Sequence, residues 1–364
     1  MAWQSLEPLD DAAEREALAA REREALYPDL LLTPRAGDPA VVLRRERAES
    51  RLITVALWHG QLTPARFAAI GGFRLRQYAL CGLYDAYRAA HDASGLDPSL
   101  DALAPAAIHV CSGTPDGRLL GYMCMETATP RTSLPAPDWR LRLATGGRHS
   151  GATRGDGYAF SASPRPLFAT EFELFGPGVF ASLPYLRDMP VARARELSRM
   201  LRNQVVASPL SVAAMLEITH MMSRLVTDPT LNIQVALGCL GREGRTLMAH
   251  LGVPLLLAPE APVLPRQVAL ARATRSGAYW SSGANTQGQF WPFVLAAKDV
   301  RQSAQHFDRL DELLARGPAD LRRGLVQLHH IGRMIEPETL LNGLTNSAIR
   351  WTTGAAREPA TQAD

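Results

Sequence analysis

The sequence predicts an α/β (α+β) fold: a mixed central sheet flanked by helices, followed by a mostly helical C-terminal extension. Three observations predict it. Short apolar runs rich in β-branched residues, such as LITVALWHG at 52–60, alternate with longer stretches of helical period, which is the pattern of a sheet covered by helices. Two apolar runs, AAIHVCS (106–112) and RLLGYMCMETA (118–128), flank GTPDG and read as a hairpin. A hydrophobic content of 46% over 364 residues supplies a sizeable core, and no apolar run reaches the roughly 18 residues of a membrane span.

Taken in order, residues 1–50 read as an N-terminal helical segment, acidic and basic by turns and without the apolar stretch of a secretory signal. A cytoplasmic location is expected. The strand at 52–60 closes on Gly60. Thr63-Pro64 is a helix-start signal that opens a long helical period, and Gly71-Gly72 is expected to break it into two helices. After the hairpin, residues 129–166 are rich in Pro, Gly, Ser, Thr and Arg and form a loop insertion; loops of that length are either functional or disordered. LFATEFELF (167–175) alternates like a strand. Ser208-Pro209 opens a helix with Val212, Leu216, Met222 and Val226 at helical spacing, NIQVALGCL (232–240) is a strand, GREGRTLMAHLG (241–252) a short helix and VPLLLA (253–258) a strand. Residues 51–258 thus form the core and residues 259–364 the helical extension.

The stretch ARELSRMLRN (194–203) sets charges among Leu197, Met200 and Leu201. Buried carboxylates and guanidiniums are costly unless paired or used, so this is either a solvated helix face or the wall of a site. On a helix, Glu196 and Arg199 share a face and form an ordinary ion pair. On a regular strand they point to opposite faces, and only a bulge, common beside active sites, brings them together.

Composition narrows the chemistry. The net charge is +3, and Lys298 is the sole lysine among the basic residues. Schiff-base chemistry therefore has one candidate, whereas bidentate anion binding by arginine has many. Cys81, Cys111, Cys124 and Cys239 form no CxxC pair and sit in apolar segments, as buried thiols do; neither zinc nor a disulfide is predicted. His306 and Asp311 match a His-x4-Asp spacing but lie in a charged helical run without accompanying motifs, and His329-His330 lack metal spacing. His220 reads as a helix-packing histidine. Tyr279-Trp280 and GQFWPF (288–293) suit either an acyl pocket or core packing.

Three segments carry a family resemblance. FRLRQYAL (73–80), ARELSRMLRN (194–203) and LMAHLGVPLLLA (247–258), in this order and spacing, resemble the Phe-x-x-Arg helix, the Glu-Leu-Ser-Arg strand and the helix-to-strand segment of the acyl-homoserine-lactone synthase-like branch of the GCN5-related (GNAT) acyltransferases. The resemblance spans about residues 58–258. It implies a splayed central sheet in which a thioester arm enters between two strands and the acyl group meets an amine. It implies that Arg76, Glu196 and Arg199 line the site, with Glu196 as the base for the amine and Arg199 holding it or binding an anionic group. It also implies a role in secondary metabolism, antibiotic biosynthesis included, or in signalling.

Two family features are missing: the acidic motif of the signalling synthases, with only Asp85 and Asp92 in that region, and the usual pyrophosphate loop, where NQVVASPLSVAA stands instead. The expected function is an N-acyltransferase that uses a carrier-protein or coenzyme A thioester as co-substrate, an amine-bearing small molecule as acceptor, and no tightly bound cofactor or metal. An alternative donor is an aminoacyl-tRNA, suited to the arginines of the insertion (Arg131, Arg140, Arg142, Arg148, Arg154, Arg165). A further alternative is a non-catalytic GNAT-like binding module.

Overall fold

The computed structural model describes residues 12–27, 34, 36–97, 100, 103–126, 193–206, 209–240, 256–257, 261–262, 289–302, 308, 311–312 and 314–316. Their elements are α1 (Ala12–Glu24), β1 (Val41–Arg47), β2 (Leu52–Trp58), a 3-10 turn (His59–Gln61), α2 (Pro64–Leu80), α3 (Ala86–His91), β3 (Ile108–Gly113), β4 (Leu119–Glu126), β5 (Ala194–Arg202), α4 (Pro209–Thr227), β6 (Val235–Leu240), β7 (Leu256–Leu257), β8 (Ala261–Pro262), β9 (Gln289–Ala296) and α5 (Ala297–Gln302).

Eight strands line up as β1-β2-β3-β4-β5-β6-β9-β7, and β8 also pairs with β9. All neighbours are antiparallel except β5 and β6. The fold is therefore a mixed α/β sheet flanked by helices. β2, β3 and β4 are buried along nearly their whole length, because helices cover both faces and leave no solvent side to demand polar residues. One core joins Ile70 and Phe73 of α2 and Leu18 of α1 to Val55, Leu57, Cys111, Tyr122 and Cys124. The other joins α4, through Leu216, Ile218, Met222 and Val226, to Ala56, Val110, Met123 and Met125. Each large side chain buried there contributes about 1.5–3 kcal/mol relative to exposure.

Three expectations are corrected. α2 runs unbroken through Gly71-Gly72. The glycines serve close packing: a Cβ on Gly71 would stand 3.1 Å from Leu96 and one on Gly72 3.0 Å from Arg76, and the helix tolerates their propensity cost of about 1 kcal/mol each. The sheet begins at β1, inside the segment expected to be helical, and continues past residue 259 into β8 and β9. In β9 the run FWPFV outweighs the helical pattern that follows it, being aromatic and β-branched. Its Pro292 stands opposite Cys239 of β6 and, on the other edge, between the residues paired with β8 and those paired with β7. Cys81, expected to be buried, is exposed, while Cys111 and Cys124 are buried. The insertion at 129–166, the strand at 167–175, the helix at 241–252 and Tyr279-Trp280 lie outside the described residues. Among the described residues no helix is long and apolar enough to cross a membrane.

Candidate active site

ARELSRMLR is a strand, β5, and it carries a bulge. Tyr122 pairs with Leu201 and Cys124 with Ser198, so Arg199 and Met200 stand together opposite Met123. One extra residue bends the strand locally. On its other edge β5 pairs with β6 through only Ala194–Val235, Arg195–Ala236 and Glu196–Leu237. Just beyond, Gly238 lies against the chain: a Cβ there would stand 2.7 Å from the Leu197 carbonyl oxygen and 2.9 Å from the Phe293 ring. No pairing joins the two strands after that point, although β5 stays on β4 to Arg202 and β6 stays on β9 to Leu240. The pairing of the parallel strands thus ends at Glu196–Leu237, three residues before the bulge, with Gly238 still close against Leu197.

Glu196 sits at this point and is 3% exposed, beside the likewise buried Arg195. Burial holds the Arg195 guanidinium below the ordinary arginine value. Directly opposite Glu196 on β4 is a second buried carboxylate, Glu126. Facing residues of an antiparallel pair share a face with Cβ atoms about 5 Å apart. Tyr122 and Cys124 belong to the core beneath α2, so by the two-residue period Glu126 and Glu196 also lie on the α2 side. α2 begins at this end of the sheet, with Thr63 capping the Arg66 N–H, and its N-terminal dipole favours nearby negative charge.

Arg76 is placed elsewhere. It lies in the last turns of α2, where its Nε donates to Glu22 at 2.6 Å and its guanidinium also bonds the Tyr27 hydroxyl. Glu22 accepts in turn from Asn203 Nδ2 at 2.9 Å. Asn203 follows β5, about 20 Å along the strand from Glu196. The structure therefore brings Glu126 to Glu196 and joins Arg76 to α1 and the far end of β5. The Arg199 side chain lies outside the described residues.

A buried chain of polar side chains shares the α2 face. His59 Nδ1 and His109 Nε2 are 2.9 Å apart, and His109 Nδ1 is 2.8 Å from the Tyr122 hydroxyl. Arg74 Nη1 donates to that hydroxyl at 3.2 Å, Arg74 Nη2 pairs with Asp97 at 2.6 Å, and the Tyr84 hydroxyl donates to Asp97 at 3.0 Å. Sequence reasoning missed Glu126, His59, His109 and Arg74. Glu126 and His109 sit inside apolar strand runs where only cross-strand register reveals a partner; the sole available signal was a charged residue interrupting such a run.

His220, read from sequence as a helix-packing histidine, also belongs to a polar cluster. Arg45 donates toward its Nδ1 at 3.3 Å and Asp311 stands 3.7 Å from its Nε2, within an ion network of Arg45, Arg47, Glu217 and Asp311. Burial, then the charge of Arg45, lowers the His220 value to about 4. Asp311, from the His-x4-Asp match, joins its helical turn to β1 and α4. Among the described residues no group of three His, Cys, Asp or Glu side chains could hold a metal ion. Comparisons of the chain with protein-family models, with curated proteins and with solved structures find no match in any of the three.

Proposed function

We propose that this chain is an N-acyltransferase of GNAT-like architecture, moving an acyl group from a carrier-protein or coenzyme A thioester to the amine of a small molecule. The observation that carries the reading is the one parallel pair among the described strands, β5 and β6, whose pairing ends at Glu196 while β5 goes on to a bulge at Arg199-Met200. A thioester arm entering between two strands requires their pairing to end in this way. The element order supports it as well: β2, two helices, an antiparallel hairpin, β5, α4, then the parallel β6, with β9 returning between β6 and β7.

In this reading the amine arrives as an ammonium. Glu196 takes its proton, and the free amine attacks the thioester carbon directly. The C–N bond forms as the C–S bond breaks, and the second nitrogen proton leaves with the thiolate. General-base help of this kind contributes about 10²–10⁴-fold. Backbone N–H groups on the edge of β5 that β6 no longer covers are available to the developing oxyanion.

The test is direct. The purified chain is incubated with acyl-carrier-protein, acyl-coenzyme A or aminoacyl-tRNA and a panel of primary amines, and amide products are read by mass spectrometry. Amide formed from a thioester, and lost in Glu196→Gln, supports the proposal. Product only from aminoacyl-tRNA would move the donor class, and no amide from any donor would overturn the reading.

A further inference from the structure

The ion cluster on the α4 side of the sheet has two tiers. The inner tier is buried: Arg47 of β1 and Glu217 of α4 are 5% and 2% exposed in their side chains. Arg47 engages both Glu217 oxygens, one through Nε and the other through Nη2 at 3.4 Å. The outer tier is open to water, with Asp311 39% and Arg45 23% exposed in their side chains. All three side-chain contacts of Asp311 run through one oxygen. Its Oδ1 accepts from Arg45 Nη2 and, at 2.6 Å, from Arg47 Nη2, and it stands 3.7 Å from His220 Nε2. Arg47 Nη1 also donates to the Asp311 carbonyl at 3.4 Å.

Among the described residues, these contacts hold a stretch with one other anchor. Residues 308, 311–312 and 314–315 are helical, and Asp308, Glu312, Ala315 and Arg316 are exposed. Leu314, 1% exposed, joins the core that α4 covers. Asp311 and Leu314 are three apart and share one helix face, so the described residues of this stretch rest on the body through one carboxylate and one leucine. We propose that the helical turn carrying Asp311 and Leu314 is an electrostatic strap, which Asp311 pins across β1 and α4 and which opens as a unit when ionic strength rises, while the sheet beneath it stays closed.

The reason lies in the difference between the tiers. Salt screens exposed charges strongly and buried pairs much less. The two arginine contacts of Asp311 share a carboxylate open to water and weaken first, whereas the buried Arg47–Glu217 pair persists. An open strap leaves neither guanidinium stranded. Arg47 keeps Glu217, and the half-exposed Arg45 keeps His220 Nδ1 at 3.3 Å and a Glu217 oxygen at 4.0 Å. β1 and α4 therefore remain joined when Asp311 leaves. The strap lies on the α4 side of the sheet and Glu196 on the α2 side, so its opening is independent of the acyl-transfer reading.

The test is hydrogen exchange read by mass spectrometry on the full chain. Sodium chloride is raised from about 0.01 M to about 1 M, over which the screening length falls from about 30 Å to about 3 Å. Protection factors of peptides covering 308–316 should fall about tenfold or more, the scale of one hydrogen bond to a charged group, while those of β2, β3 and β4 stay level. Asp311→Asn keeps the side-chain size and removes the charge. At low salt its strap should already exchange as fast as the parent's at high salt, and added salt should change it no further. Strap protection in the parent that is indifferent to salt, or that falls only together with the sheet, overturns the proposal. So does an Asp311→Asn strap as well protected as the parent's. The parent's salt series decides this even if the variant fails to fold.

Discussion

Glu196 and Glu126 form a pair visible from register alone: they stand directly opposite each other on neighbouring strands and both are buried. Glu196→Gln keeps size and hydrogen bonding but removes the base, so turnover should fall about a hundredfold or more, with little change in thermal midpoint and partial recovery at high pH. Arg199→Lys should be nearly as damaging if the bulge directs a bidentate fork at the site. Wild-type turnover in both would remove the catalytic assignment. His220 makes a second residue-level case. Its folded value is depressed from 6.5 to about 4, so its neutral form favours the fold; that contribution is present above pH 6.5 and lost as pH falls toward 4. Glu217 is raised by burial against the pull of Arg47 and acts in the opposite sense, losing its contribution as pH rises above its ordinary value. Comparing urea midpoints of the parent and His220→Asn between pH 7 and 4 isolates the histidine: the variant should lose less stability across that window.

The element of consequence is the β5–β6 pair. Its close approach beside Leu197 requires a residue without a side chain, because a Cβ on Gly238 would meet a carbonyl oxygen at 2.7 Å and the Phe293 ring at 2.9 Å. The first is backbone and cannot swing aside. Gly238→Ala should therefore cost about 1–3 kcal/mol in denaturant unfolding, and it should lower transfer activity in the surviving folded protein by moving β6 relative to Glu196. An unchanged unfolding midpoint would show that the strands are not held this tightly. That the decapeptide was a strand or a helix stayed open on periodicity, since charges three apart fit both. The bulge at Arg199-Met200 was visible only as a condition on the strand reading, because it depends on what β4 places opposite.

Across the whole molecule, α1 is tied to the sheet by one buried polar junction. Glu22, 1% exposed in its side chain, accepts from Arg76 and Asn203, linking the N-terminal helix, α2 and the end of β5. Glu22→Ala leaves a guanidinium and an amide without that acceptor. Breaking a buried pair from one side costs several kcal/mol, so thermal unfolding should register a loss of about 3 kcal/mol while leaving the distant Glu196 end chemically intact. Equal stability of variant and parent would show that α1 is bound by apolar contacts alone. Local pattern was enough to determine the hairpin, the apolar strands β2 and β6, the cap at Thr63 and the buried helix α4, because each depends on residues within about twenty positions of one another. Tertiary structure alone decided that α2 continues through two glycines, that β1 and β9 belong to the sheet, that Arg76 serves the N-terminal helix, and that Glu126 faces Glu196. Each of these rests on contacts between residues far apart in the chain, whose partners are set by strand order and register.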